Sequence, residues 1–266
     1  MANRYENLLL HVFRGHNPAG NTQEFVFERE EIVAAAAALG MQLPKNLGDV
    51  IYSFRYRNSL PEEIASTAPA GCEWLIEPAG RGTYRFVIRR ETALRPREDL
   101  LPIKIPDATP EIINRYALND EQALLARLRY NRLVDLFLGV TAYSLQNHLR
   151  TTVTGIGQIE IDELYVGVNR TGSQFIIPVQ AKGEADRVGA VQARQDVLFC
   201  QERYPLLVCR PLAAQTIRGN RVALFELALA NDEVMVVEER HYQLVPADQI
   251  SDEDLRLYRS RNQGTQ

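Results

Sequence analysis

The spacing of apolar and polar positions divides this chain into segments of helical and strand period. EFVF (Glu24–Phe27) reads as a short strand. EREEIVAAAAALG follows it, with acids at the start and Gly40 at the end, which is the polarity of a helix. A second helix is expected from Asn46, in NLGDVIYSFRYR, and a short third one from Pro61, in PEEIAST. CEWLIEPAGRGTYRFVIRR then predicts two strands around a turn at Pro78–Gly82.

The C-terminal half has a different order. Asn119 is placed to cap a long helix, DEQALLARLRYNRLVDLFLGVTAYSL. Thr151 to Val168 is strand-like, and SQFIIPVQAK (Ser173–Lys182) predicts a further strand. A helix, EADRVGAVQARQDVLFCQERY, a short apolar strand, PLLVC, a helix near ALFELALA and a strand, EVMVVEE, complete the order. The tail SDEDLRLYRSRNQGTQ reads as solvated and frayed. Helices and strands in this sequence describe an α/β sandwich around a mixed sheet.

Four of the 13 prolines, at 96, 102, 106 and 110, fall in one stretch, RPREDLLPIKIPDATP. Such a stretch reads as an extended linker. The expected plan is therefore an N-terminal domain over 1–95, a linker over 96–112 and a C-terminal domain over 113–266.

Composition narrows the functional classes. No apolar run approaches the roughly 20 residues that a membrane helix needs, and the first residues lack the layout of a signal peptide. Three cysteines, an odd number, read as reduced core thiols. A cytoplasmic protein without a membrane partner is expected. The net charge of −4 argues against non-specific coating of nucleic acid. Yet Pro44–Arg97 holds nine basic and six acidic residues. Short helices followed by a hairpin suggest a winged-helix-like α+β domain, and Arg55, Arg57, Arg81, Arg85, Arg89 and Arg90 suit phosphate contacts. The alternative is a small α+β domain whose arginines are merely solvated.

The candidate chemistry lies on the two strands joined by Asn169-Arg170-Thr171-Gly172. Side chains alternate along a strand, so Glu160 and Asp162 share one face, and Gln180 and Lys182 share one. A turn centred on Thr171 would set Asp162 opposite Gln180 and Glu160 opposite Lys182. Oxygen donors of this kind suit Mg²⁺, and the Lys182 ammonium suits a developing phosphate charge. Either Glu160 or Asp135 would supply a further acid. On the next helix Gln192 and Gln195 lie on an apolar stripe with Val188, Val191, Leu198 and Phe199. They would bond site residues or a DNA backbone, or else meet water at the edge of the stripe. His148 reads as an end-of-helix residue. None of the histidines has zinc-ligand spacing, and no phosphate loop or Gly-x-Ser-x-Gly elbow occurs.

Across about residues 119–240 this arrangement resembles the PD-(D/E)XK nuclease core of type II restriction endonucleases. The matching pattern is Asp162…Gln180-Ala-Lys182. Two departures stand out: Ile161 occupies the usual proline position, and Gln180 replaces the usual acid. The resemblance implies a restriction-endonuclease-like mixed sheet flanked by helices. It implies metal binding by Asp162 and Gln180, with a catalytic ammonium on Lys182; Glu160 joins them from the register argument alone. The expected activity is Mg²⁺-dependent cleavage of double-stranded DNA at a specific sequence. The implied partners are a second copy of the chain and a cognate DNA methyltransferase. The alternatives are a non-catalytic DNA-binding regulator with a nuclease-like dimerisation domain, and a structure-specific repair nuclease.

Overall fold

A computed structural model describes the chain apart from residues 1–4, 19, 45–46, 57–59, 91–93, 118–120, 185, 187–188, 219, 231–232 and 264–266, and apart from the side chains at 49, 52, 55–56, 90 and 262–263. Its contacts divide it into two units, residues 1–92 with 151–159, and residues 93–150 with 160–266.

The first unit runs α1 (Glu6–His16), β1 (Phe25–Glu28), α2 (Arg29–Ala38), α3 (Gly48–Tyr56), α4 (Glu62–Ala65), β2 (Cys72–Gly80) and β3 (Thr83–Arg90). The acids that predicted α2 close its start: the Glu28 N–H donates to Glu31 Oε1 at 2.8 Å in a capping box. The three strands form an antiparallel sheet in the order β1-β3-β2. Pairing continues to Gly80↔Thr83, so the turn is tighter than the predicted Pro78–Gly82, with Gly82 at φ +75°. Aromatic side chains fill the core. Phe13 meets Trp74 and Phe86 edge-on at 5.3 and 5.2 Å between centroids. Trp74 keeps its polar end satisfied by donating from Nε1 to Thr67 Oγ1 at 2.8 Å.

The second unit is built on an eight-stranded mixed sheet. Its elements begin with β4 (Ile103–Pro106), α5 (Glu111–Tyr116), α6 (Glu121–Tyr130) and α7 (Leu133–Leu138). A hairpin of β5 (Thr141–Val153) and β6 (Gly157–Val168) contains residues of both units. Then come β7 (Gln174–Lys182), α8 (Ala190–Arg203), β8 (Val208–Cys209), β9 (Leu212–Ile217), β10 (Arg221–Ala230), β11 (Glu233–Val245) and α9 (Asp252–Gln263). The strand order is β4-β11-β10-β9-β7-β6-β5, with β8 pairing β7 off this path. β4 with β11, β7 with β9 and β7 with β8 are parallel. Strand alternation feeds two layers. Val179, Ala181, Leu212 and Leu224 pack with Leu124, Leu128 and Phe137 of α6 and α7. Ala213, Ala223 and Phe225 pack with Ala193 of α8.

Several expectations are corrected. The long helix from 120 is two short ones: Arg132 adopts φ +50° between them, and Gly139 at φ +65° ends α7, so TAYSL opens β5. The expected cap, Asn119, lies outside the described residues. Thr151–Val168 is the end of one strand and the whole of the next, with the reversal at Gly155 and Gly157. ALFELALA is strand β10, lying between β9 and β11. The linker contains β4, paired with Tyr242–Val245, and runs into the start of α5. The tail is helix α9, tied to β4 by Lys104 Nζ–Asp254 Oδ2 at 2.9 Å and by the Lys104 N–H donating to Tyr258 Oη at 2.9 Å. Among the described residues no helix is long and apolar enough to cross a membrane.

Candidate functional site

The β6–β7 ladder runs from Val168↔Gln174 to Glu163↔Val179, the register of a turn centred on Thr171. It ends there. Asp162 is therefore not a ladder partner of Gln180, nor Glu160 of Lys182, and side chains take over where the strands part. Asp162 Oδ2 accepts the Ala181 N–H at 2.8 Å, and Gln180 Nε2 donates to the Glu160 carbonyl at 3.0 Å. On its other side β7 pairs in parallel with β9, Gln180 beside Ala213 and Lys182 beside Gln215. Asp162, Gln180 and Lys182 are all buried.

Two residues from the flanking helices join them. Asp196, on α8, accepts a second hydrogen bond from Gln180 Nε2 at 2.9 Å. Glu121, the first residue of α6, accepts from Lys182 Nζ at 2.7 Å. Neither carries a sequence signal of its own. Asp196 falls inside an apolar-looking helix, and Glu121 reads as an ordinary first-turn acid. A helix-to-sheet contact depends on packing, which periodicity does not encode.

Electrostatics follows from burial. Desolvation raises the Asp162 carboxyl above its ordinary range, against the Lys182 ammonium and the Ala181 N–H, while Glu121 and Glu160 add to the rise. Desolvation also drives Asp196 well above the ordinary range, opposed by its bond from Gln180 and reinforced by the Asp162 charge. Asp196 is thus a buried carboxyl, biased towards its protonated form, that accepts from an amide. Its consequence falls on Gln180. With Nε2 committed to two acceptors, Oε1 is turned away from them, buried and without a hydrogen-bond partner.

The remaining candidates lie elsewhere or face other partners. The Glu160 carboxylate turns to Arg150 at 3.3 Å and His148 at 3.6 Å, although its charge still reaches Asp162. Asp135 accepts from Ala142 N–H at 3.0 Å and pairs with Arg132. His148 is a β5 residue at φ +47°, not a helix end, and sits 2.6 Å from Gln122 Nε2. Gln195, at 2% exposure, is buried against the sheet, which removes it from any DNA-contacting surface; Gln192 is half-buried. In the first unit Arg81 is exposed at the β2–β3 turn. Arg85 and Arg89 share the buried Glu77, and Arg89 also pairs with Glu24. Arg57 and the side chains of Arg55 and Arg90 lie outside the described residues. Across β6 from Asp162 the structure buries a second acid: Glu163 accepts from Ser144 Oγ at 2.5 Å and pairs with Arg129 at 3.4 Å.

A metal would find oxygen donors here: the Asp162 carboxylate and the orphaned Gln180 Oε1, both hard ligands of the kind Mg²⁺ takes. Among the described residues no group of three or more His, Cys, Asp or Glu side chains is arranged to hold a metal ion. Comparisons with protein-family models, curated proteins and solved structures return no match.

Proposed function

We propose that the second unit is a divalent-metal-dependent DNA endonuclease of restriction type. The observation that carries the reading is the orientation of Gln180. Two acceptors hold its nitrogen, and its buried oxygen is left without a hydrogen-bond partner. Leaving such an oxygen without a partner costs about 1–3 kcal/mol, which a ligand at that point would offset. Asp162 and Gln180 would hold Mg²⁺, completed by water and phosphate oxygens. Bound there, the ion would supply Lewis-acid activation and a more acidic water. Lys182 places its ammonium where charge grows on the phosphate, and Glu121 orients that ammonium. Asp196 fixes the Gln180 amide.

The first unit supports a winged-helix role in this reading. Its order of helix, strand, helices, strand, strand and its sheet order β1-β3-β2 suit that fold, with Arg81 at the tip of the hairpin. Two copies of the chain would match a two-fold target, and a cognate methyltransferase would protect host DNA.

Cleavage of plasmid DNA with and without Mg²⁺ tests the activity. Lys182→Ala and Asp162→Ala should each lower the rate by about 100-fold or more. Equal background cleavage by wild type and both variants would sink the proposal. The second reading, a non-catalytic DNA-binding regulator, is favoured by one observation: Gln180 is neutral where the metal would want charge. Metal-independent, sequence-specific binding without nicking would select it.

A further inference from the structure

Behind the Gln180–Asp196 pair lies a feature that the nuclease reading does not use. Cys200 is one helical turn beyond Asp196 on α8, and Cys209 is the last residue of β8, whose ladder to β7 includes Ile176↔Cys209. The two thiols are close enough for Cys209 to act directly on the Cys200 thiol. Both line one cavity of about 610 Å³, together with Val197, Tyr204, Leu207 and Arg210. Cys200 is fully buried, while Cys209 is only half-buried. The third cysteine, Cys72, belongs to the other unit.

We propose that Cys200 and Cys209 form a thiol–disulfide exchange site, at which a low-molecular-weight disulfide entering the cavity oxidises the pair to an intramolecular disulfide. The asymmetry of the two thiols sets the order of steps. Interaction with Cys209, and then burial, raise the Cys200 thiol far above its ordinary range, so it is the poorer first nucleophile. Cys209, on the accessible wall, loses its proton and attacks one sulfur of the small disulfide. That S–S bond breaks, one small thiol leaves, and a mixed disulfide remains on Cys209. Cys200 then gives up its proton and attacks the Cys209 sulfur, expelling the second small thiol. Two protein thiols are oxidised and one small disulfide is reduced to two thiols. Closing the bond brings the sulfurs to about 2.05 Å, which ties α8 to the sheet one turn from Asp196. The proposal stands apart from the nuclease reading, because its readout is the sulfur chemistry itself.

The test incubates the full chain with oxidised glutathione, blocks remaining thiols with iodoacetamide and maps the digest without reduction. The expected product is a Cys200–Cys209 cross-linked peptide pair, lighter by two hydrogens than the free peptides. The Cys200→Ser variant should stop at a glutathione adduct on Cys209. The Cys209→Ser variant should leave Cys200 unmodified in the folded protein, which guards against a folding defect in the first variant. Recovery of both cysteines as alkylated free thiols, while Cys72 carries glutathione, would overturn the proposal. So would a wild-type Cys209 adduct that persists without passing to Cys200.

Discussion

At the scale of single residues, the Gln180 amide shows how a neutral group acquires direction. Its nitrogen is held by a backbone carbonyl and by Asp196, a carboxyl that burial pushes well above the ordinary range even though the Gln180 bond pulls the other way. The folded protein keeps the Asp196 proton to higher pH than the unfolded chain does. Above the ordinary carboxylate pKa the unfolded chain releases it first, so stability falls as pH rises towards the raised value. The slope is at most about 1.4 kcal/mol per pH unit. Asp196→Asn still accepts from Gln180 but does not titrate. Its melting temperature should therefore gain on the wild type as pH rises from 5 to 8; parallel profiles would show that Asp196 is ionised in the fold. The legibility of the site divides along the same line. Strand alternation, with the register of a turn centred on Thr171, pointed to Asp162, Gln180 and Lys182. Asp196 and Glu121 escaped because helices bring them in, and the carboxylate of Glu160 turned to Arg150 because that cation lies on the neighbouring strand.

At the scale of elements, local composition and tertiary setting disagree in two instructive places. ALFELALA is rich in helix formers. It became a strand because β9 and β11 flank it, and the Val222–Phe225 stretch is buried on both faces, which erases the alternation that marks a half-exposed strand. The run after Glu121 does hold helical periodicity, but the chain leaves it at Gly139, where φ is +65°. A Cβ there would meet nothing within 4 Å, so backbone conformation is the whole cost of adding one. Gly139→Ala should destabilise the chain by about 1–2 kcal/mol, and Gly139→Asn by less, read from denaturant midpoints at constant slope. Equal losses for the two would point to a steric cause instead. The proline-rich stretch teaches the converse. Prolines disfavour helix, and extended chain is what β4 needs at the sheet edge; its partners, Tyr242–Val245, lie 139 positions further on (Tyr242 against Ile103), where local pattern cannot show them.

At the scale of the whole molecule, each unit has its own core. One is the aromatic cluster of the first unit, and two apolar layers flank the large sheet of the second. The few lysines of the chain are distributed at this scale too. Of 30 basic residues only Lys45, Lys104 and Lys182 are lysines. Lys45 lies outside the described residues, Lys104 fastens α9 to β4, and Lys182 stands in the site. Separate cores carry a practical consequence through Trp74. It is the one tryptophan in the sequence, 3% exposed, and it belongs to the first unit. Its fluorescence is thus a reporter for that unit alone, while far-ultraviolet circular dichroism registers helices and strands of both. A guanidinium titration followed by the two signals should give distinct midpoints. Coincident curves would mean that the units melt as one cooperative block. A single indole ring, placed where the chain needed bulk, lets one unit of this molecule be watched without labelling it.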